Sequence, residues 1–483
     1  MAVARFPEDV TQSVGRFWVS GGDTPRMSSG LCRVEPTGIE VEVTAPLTTW
    51  METEHAVDGV TLRRAPEPDD LVIHGSLPFP PQKVTLFDAR TVTRRAMTLP
   101  FGDVQDEEPQ LHHLRADWCI AGAHIASPST TFSAVRVRFT HLELWARETG
   151  VDMRYIYKPS TEVTIKFVPP ADTEVPFVEF SETATLRLRT VGVLPAPSVW
   201  GGQIRTKNWL VLDGLSGWTL EEAFARFVRP VQTLLTLLAG EECTILNFEV
   251  QVDDEWCPVF HADIKGGAPQ PDADSMLMLL NRDKLPLETI AAWCGTATQL
   301  SPTPHVVAAA IAGTFQTVDA EALALTTTAE GMDRALYPDS RRFTEEEVGA
   351  SVAGLKDSTV PANVRDAMVS ALNLYFHEDS YPTRMKRLAT EVSAAAPDCV
   401  GNTSKWKDSM RELRNGLAHA LGDSEVGDVD PLLLMHARAR SLRWALQIRM
   451  LQAAGVSSEL MAEALEDLQR YQRDRRLWQR HLK

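Results

Sequence analysis

The chain has 483 residues, an apolar content of 44% and a formal net charge of −17. This length suffices for two or three domains with their own cores, and the ordinary apolar content excludes a largely disordered chain. No apolar run approaches the roughly 20 residues of a membrane span, and the first ten residues lack the apolar core of a signal peptide. We therefore expect a cytoplasmic protein with no membrane partner.

The charge is unevenly distributed along the chain. Residues 403–483 contain 14 Lys and Arg against 11 Asp and Glu, a balance of +3, so the first 402 residues carry −20. An acidic front and a mildly basic rear favour nucleic-acid contact confined to the C-terminal part.

The sequence contains no motif typical of a metal site, a disulfide framework or a cofactor site. The six cysteines are scattered, with no C-x-x-C pair and no neighbouring His cluster, which indicates a reducing compartment. His112-His113 lack a third ligand. The sequence also contains no P-loop, no G-x-G-x-x-G and no G-x-S-x-G motif. We predict no metal site and no cofactor.

Up to about residue 215 the apolar residues alternate, which predicts short strands separated by Pro and Gly. The predicted strands are Ile39–Val43, Lys83–Phe87, Phe132–Trp145, Glu162–Val168, Phe177–Phe180, Thr185–Leu188 and Trp209–Leu212. Many short strands with frequent turns indicate a β-sandwich or a barrel-like module.

A helix over residues 219–239 and a β-hairpin over Thr244–Val252 and Trp256–Phe260 complete the front module. Pro230 lies inside the helix and predicts a kink or a break there. The segment Gly266–Pro271 is the best linker candidate. We therefore predict a β-rich domain over residues 1–268 and a helical domain over residues 272–483.

After the linker the apolar period changes to 3.6. The predicted helices are Leu287–Leu300, Val306–Phe315, Ala320–Leu336, Thr344–Leu355, Pro361–Tyr375, Tyr381–Ala395, Asn402–Gly422, Leu432–Ala454 and Ser458–Lys483. Short connections between them imply antiparallel neighbours and hence a bundle. The predicted fold class is α+β, with a β-rich module followed by an all-α bundle.

The helix Asn402–Gly422 carries the strongest chemical signal. Its apolar residues recur every three or four positions and form one stripe: Trp406, Met410, Leu413, Leu417 and Leu421. Asn415 and His419 lie one turn apart on the opposite face, and Arg414 lies beside the stripe. A guanidinium, an amide and an imidazole are thus predicted on the face that points away from the core of this helix.

This Arg-Asn-x-x-x-His pattern resembles the R-x(4-6)-H motif of the HEPN superfamily, helical domains that include metal-independent ribonucleases. Similar Arg–His spacings also occur elsewhere, at Arg136–His141, Arg475–His481 and Arg476–His481. RNA can be cut by its own 2′-OH, which requires a proton-transfer group and a cation for the phosphorane. His419 suits the first task, Arg414 suits the second, and Asn415 can orient His419. The resemblance implies that two protomers pair and build one composite cleft.

Short motifs in the front module carry a second resemblance. They are Gly15-Arg16-Phe17-Trp18, His74-Gly75-Ser76-Leu77, Val84-Thr85-Leu86-Phe87, Phe132-Ser133 and Leu142-Glu143-Leu144-Trp145. In this order they resemble the N-terminal domain of ApeA-like proteins, whose C-terminal half is a HEPN domain. The resemblance implies abortive-infection defence against phage in bacteria. It further implies an N-terminal domain that senses or binds the infection trigger and a HEPN domain that cuts RNA, perhaps tRNA.

Two weaker candidates lie outside the motif helix. The last helix interleaves Arg470, Arg473, Arg475, Arg476 and Arg480 with Tyr471 and Trp478. It suits RNA binding through phosphate contacts and stacking, although a solvated face with apolar anchors has the same composition. Glu330 either reaches the cleft from an earlier helix or is an ordinary surface residue.

The sequence leaves two rival interpretations open. A HEPN-type module without catalysis, serving RNA or nucleotide binding or dimerisation, would use the same residues for packing or ligand contact. A carbohydrate-binding β-sandwich with a helical oligomerisation tail would bind glycans through the front module.

Overall fold

The computed structural model describes residues 12–21, 26–35, 38–45, 47, 53–57, 60–64, 71–78, 81–95, 111–158, 160–178, 183–193, 204–268, 278–418 and 431–482. The chain divides into two compact units. Unit 1 comprises residues 1–232 and 243–273, and unit 2 comprises residues 233–242 and 274–483. The α+β fold class is confirmed, since a β-rich N-terminal region is followed by a helical C-terminal region.

The strands in the described ranges lie within the first 260 residues. They are β1 Gln12–Val19, β2 Ser28–Glu35, β3 Gly38–Val43, β4 Thr53–Val57, β5 Val60–Arg64, β6 Leu71–Pro78, β7 Pro81–Arg95, β8 Leu111–Ala116, β9 Trp118–Ala121, β10 Phe132–Phe139, β11 Val151–Lys158, β12 Ser160–Phe167, β13 Thr173–Pro176, β14 Thr185–Val193, β15 Arg205–Trp218, β16 Ile245–Val252 and β17 Glu255–Phe260. Strands β4–β5 and β11–β12 form separate hairpins.

A closed antiparallel barrel forms the first part of unit 1. The order β7-β6-β1-β2-β3-β8 closes on itself because the second half of the long strand β7 also pairs with β8. Its core is apolar and includes Phe17, Ile39, Val41 and Ile73. From β7 the same sheet continues through β9, β17, β16, β10, β15 and β14 to β13.

The short motifs of the front module have a packing explanation in this barrel. Phe17 is fully buried. Its ring lies so close to Gly75 that a Cβ there would stand 2.7 Å from the ring and 2.6 Å from Val84. A Cβ on Gly15 would stand 2.7 Å from Leu77. Only glycine allows β1 and β6 to approach this closely around a phenylalanine.

Most strand predictions are confirmed with changed ends, and two are wrong. The run Phe132–Trp145 does not continue as a strand, because β10 ends at Phe139 and a short helix, α1 Leu142–Ala146, follows. Phe177 and Val178 are not in a strand; β13 ends just before them, at Pro176. Residues 179–180 lie outside the described residues, as do residues 269–271 of the predicted linker.

The kink predicted at Pro230 is a π-helical turn. The helix begins as α2 Leu220–Ala223, passes through a π turn over Phe224–Val228 and continues as α3 Arg229–Ala239. Proline cannot donate to the carbonyl four residues earlier, and its ring crowds that carbonyl. The wider turn accommodates this, with the N–H of Arg229 bonded to the carbonyl of Phe224.

Residues 287–481 contain the helices that follow. They are α4 Leu287–Gln299, α5 Thr303–Ala312, α6 Val318–Leu336, α7 Glu345–Lys356, α8 Ala362–Ala371, α9 Tyr381–Ser393, α10 Pro397–Val400, α11 Thr403–Ala418, α12 Pro431–Ala453, α13 Ser458–Glu466 and α14 Gln469–His481. A π turn, Leu372–Phe376, follows α8. The last predicted helix is two helices, since the chain breaks at Asp467-Leu468.

Candidate functional site

Helix α11 begins where the sequence predicts. The Asn402 side chain caps it by accepting hydrogen bonds from the N–H groups of Ser404 (3.1 Å) and Lys405 (3.0 Å). Trp406, Met410 and Leu413 are buried, Leu417 is half-buried, and Leu421 lies outside the described residues. The predicted apolar stripe is thus confirmed over its described part.

Arg414 is held by two side chains from other helices. Its Nη2 lies 2.8 Å from Oε2 of Glu330 on α6. Its guanidinium carbon lies 4.5 Å from the ring centroid of Tyr381, the first residue of α9. The Arg414 side chain is nevertheless 39% exposed, so part of its donor fork remains open to a ligand.

Glu330 belongs to a chain of ion pairs that joins α6 to α9. Arg334, one turn after Glu330, bonds both Glu330 (3.1 Å) and Glu378 (2.8 Å). Glu378 in turn lies 3.3 Å from Arg384. Arg384 reaches the buried carboxylate of Asp333 at 3.2 Å. The surface Glu330–Arg414 pair is therefore anchored, through successive charges, to a buried carboxylate.

Asp333 is the fixed end of this chain. Its carboxylate also accepts two bonds from Nη1 of Arg387, at 2.9 and 3.1 Å. Arg387 donates further to Ser340 at 2.8 Å and pairs with Asp379. A carboxylate shared by two guanidinium groups in a buried setting has little freedom to move, so α6 and α9 are locked together beneath Arg414.

Tyr381 has an unusual environment. Burial raises the pKa of its phenol, and the positive charge of Arg414 opposes that rise. Its hydroxyl is buried and has no hydrogen-bond partner within the described part of the chain. The phenol therefore stays neutral and protonated, and its ring serves as an apolar and π platform for Arg414.

The two residues directly after Arg414 face away from the core. Asn415 and Gly416 are exposed, and a Cβ added to Gly416 would meet nothing within 4 Å. His419 lies outside the described residues, which end at Ala418 and resume at Pro431. The structure thus brings together Arg414 and the side chains behind it, and no described residue covers the face beside Asn415.

The five arginines of α14 have different environments. Arg470 is not a surface residue, because its guanidinium donates to the carbonyls of Leu238 and Ala239, both at 2.6 Å. Burial lowers its pKa to about 10. Arg475 pairs with Asp398 at 2.6 Å. Arg473, Arg476 and Arg480 are exposed.

The two aromatic residues of this helix are buried anchors. Tyr471 packs edge-on against Trp444 and Trp478, with ring centroids 5.1 and 5.5 Å apart. Neither Tyr471 nor Trp478 is placed to stack on a base. The basic face of α14 is therefore an electrostatic surface without aromatic platforms.

Sequence reasoning missed Tyr381 and gave Glu330 little weight. The sequence does contain a pattern that points to Glu330. Glu330 and Arg334 are one turn apart on α6, and this spacing favours an ion pair on one helix face. Nothing local points to Tyr381, which meets Arg414 only because α9 and α11 pack together.

Other kinds of site are not evident in the described part of the chain. It contains no group of three His, Cys, Asp or Glu side chains able to hold a metal ion. His112 is buried and bonds Thr91 at 2.9 Å, and His113 lies 3.4 Å from Glu40. None of the helices in the described ranges combines the length and hydropathy of a membrane span.

The protein combines a β-barrel-containing module with a helical region that carries a partly exposed, ion-paired arginine. The family model described as ApeA N-terminal domain 1 matches residues 12–292, more than half of the chain, and the chain belongs to this family. This membership suggests an abortive-infection protein acting against phage. No curated protein and no solved structure matches the chain.

Proposed function

We propose that this protein is an anti-phage effector whose helical region is a HEPN ribonuclease with Arg414, Asn415 and His419 at its site. The observation that carries the proposal is that Arg414 is both oriented by its neighbours and accessible. Its guanidinium is oriented by Glu330 and Tyr381, yet over a third of the side chain stays exposed beside the open face of α11. A preorganised, accessible guanidinium is what a phosphorane requires.

The proposed reaction uses the RNA's own 2′-OH as the nucleophile. A base removes the 2′-OH proton, the oxygen attacks the adjacent phosphorus, and the bond to the 5′-oxygen breaks as that oxygen receives a proton. His419 serves one of these proton transfers. Arg414 stabilises the charge on the non-bridging oxygens, and Asn415 orients His419 or donates to the phosphate. Two protomers supply the cleft, and unit 1 senses the phage-derived trigger.

The products test the mechanism. Cleavage should leave 2′,3′-cyclic phosphate and 5′-OH ends, proceed in excess EDTA, and stop when the scissile nucleotide has hydrogen in place of the 2′-OH. Total RNA, including tRNA, from infected and uninfected cells is the first substrate to examine. An EDTA-sensitive activity that leaves 5′-phosphates would contradict the mechanism, because that chemistry uses an activated water.

A non-catalytic HEPN-type binding or dimerisation module is the second candidate. The Glu330–Arg414 pair favours it, since an arginine already neutralised within its own protomer can serve packing alone. RNA binding without cleavage in every condition, with wild-type stability, would support this candidate over the ribonuclease.

A further inference from the structure

A basic groove lies between α12 and α14 in unit 2, and none of its lining residues takes part in the ion pairs of Arg414. It is a cleft of about 560 Å³, and His436 and Arg440 line it from α12. Arg473, Arg476 and Arg480 line it from α14. Only the three arginines of α14 were singled out by the sequence; the two residues of α12 join them through packing.

The charges of the basic groove are poorly balanced by acids. Asp474 lies at its base, but this carboxylate is buried and already accepts bonds from Nε1 of Trp444 (2.9 Å) and Nη2 of Arg443 (3.3 Å). Arg473 reaches Asp474 only at 3.6 Å from a largely exposed position. Among the described residues, neither Arg476 nor Arg480 has a carboxylate within ion-pair distance.

The shape of the charged surface suits a linear polyanion. Arg473, Arg476 and Arg480 follow one another at i, i+3 and i+7, one stripe of α14 about 10 Å long at 1.5 Å per residue. His436 and Arg440 are one turn apart on α12 and line the same cleft. The arginine stripe of α14, with Arg440 on the facing helix, can follow successive phosphates of a strand, whereas one small anion would occupy a single cluster.

The buried guanidinium of Arg443 lies beside the groove, since it bonds to Asp474. Burial lowers the pKa of Arg443 to about 10, and Arg440 and Arg473 contribute to the lowering, against Asp474 and Glu321. Burial and the charge of Arg440 also lower the pKa of His436. His436 is therefore neutral at neutral pH and offers a hydrogen bond rather than a charge.

We propose that the basic groove binds the phosphodiester backbone of a single RNA strand through Arg440, Arg473, Arg476 and Arg480, with no base recognition. Because Tyr471 and Trp478 are buried, the contacts are to phosphates, so binding is independent of sequence and sensitive to salt. The choice of RNA rests on the proposed function. The groove itself would position substrate without taking part in the chemistry.

The test measures binding separately from cleavage. The probe is a fluorescent 2′-O-methyl RNA of about 12 nucleotides, which lacks a free 2′-OH and cannot be cut by the proposed mechanism. The variant is Arg476→Gln with Arg480→Gln, and the charge-matched control is Lys356→Gln with Arg365→Gln on α7 and α8. All four side chains are exposed or half-exposed, so thermal melts should match wild type.

The double variant should bind the probe roughly tenfold more weakly at about 0.15 M salt, because it loses two phosphate contacts. For the same reason, the plot of log affinity against log salt concentration should become less steep by about 1.4. The control variant should keep wild-type affinity and slope. If the double variant and the control variant bind the probe equally tightly, the groove is not the RNA-binding site, whether or not the protein cuts RNA. If millimolar inorganic phosphate displaces the probe fully, and the affinity does not depend on RNA length, the groove is a small-anion site and the proposal is wrong.

Discussion

At the scale of single residues, Arg414 has two partners that affect its guanidinium in different ways. Glu330 neutralises its charge, while the Tyr381 ring holds the guanidinium through a cation–π contact that uses no donor. An incoming phosphate can therefore compete with Glu330 while the ring continues to hold the guanidinium. This arrangement explains why an arginine, with its planar fork, fits here better than a lysine.

Arg414→Lys tests this difference directly. Lysine keeps the charge but loses the fork and the stacking on Tyr381, so cleavage should stay seriously impaired. Arg414→Ala should lose about 10²–10³-fold, the usual cost of one transition-state donor. Both are measured as single-turnover rates, paired with thermal melts that should change little because exposed ion pairs contribute about 0–1 kcal/mol.

Arg411→Lys is the matched control, because Arg411 lies on the same helix, is 50% exposed and pairs only loosely with Asp408, at 3.6 Å. Its cleavage rate should remain near wild type. A wild-type rate for Arg414→Lys would show that the planar fork is not needed.

At the scale of secondary-structure elements, the geometry of the site depends on how α6 and α9 are held together. Asp333 is buried between Arg384 and Arg387, and removing one partner of a buried ion pair typically costs about 3–5 kcal/mol. Asp333→Ala should therefore lower the free energy of unfolding by about that amount in a denaturant titration.

Asp366→Ala on α8 is the comparison, since its side chain is 78% exposed and such changes usually stay within about 0.5 kcal/mol. If the two variants unfold alike, the buried carboxylate does not lock these helices together.

The helices and strands could be predicted from the sequence better than the side-chain contacts between them. Periodicity predicted α11 over its described part, and it predicted about half of the strands of unit 1, including β3, β10 and β15. It misread Phe132–Trp145 because a buried helix of one turn, α1, has too few residues to show its own period. It could not pair Tyr381 with Arg414, because that contact depends on tertiary packing and not on any local preference.

At the scale of the whole molecule, the open face of α11 suggests that a second protomer covers it. Asn415 and Gly416 are exposed, and Gly416 has free space around its Cα. We expect a dimer near twice 53.5 kDa in light scattering. Gly416→Leu should weaken the dimer by separating the paired helices, and the cleavage rate should fall with it.

Gly349→Leu provides the control for this prediction. Gly349 is also an exposed helical glycine with nothing within 4 Å of an added Cβ, but it lies on α7. It should leave the dimer intact. A fully active monomer at assay concentration would rule out a composite site.

The single-turnover rate of His419→Ala at saturating RNA tests most directly whether His419 transfers a proton during RNA cleavage. General acid–base catalysis typically contributes about 10²–10⁴-fold, so the rate should fall by that factor while the thermal melt stays close to wild type. His481→Ala, at the end of α14, should cut at the wild-type rate; His141 is a poor control because it is buried and bonded to Thr140. A His419→Ala protein that melts and cuts like wild type would contradict the assignment of the site.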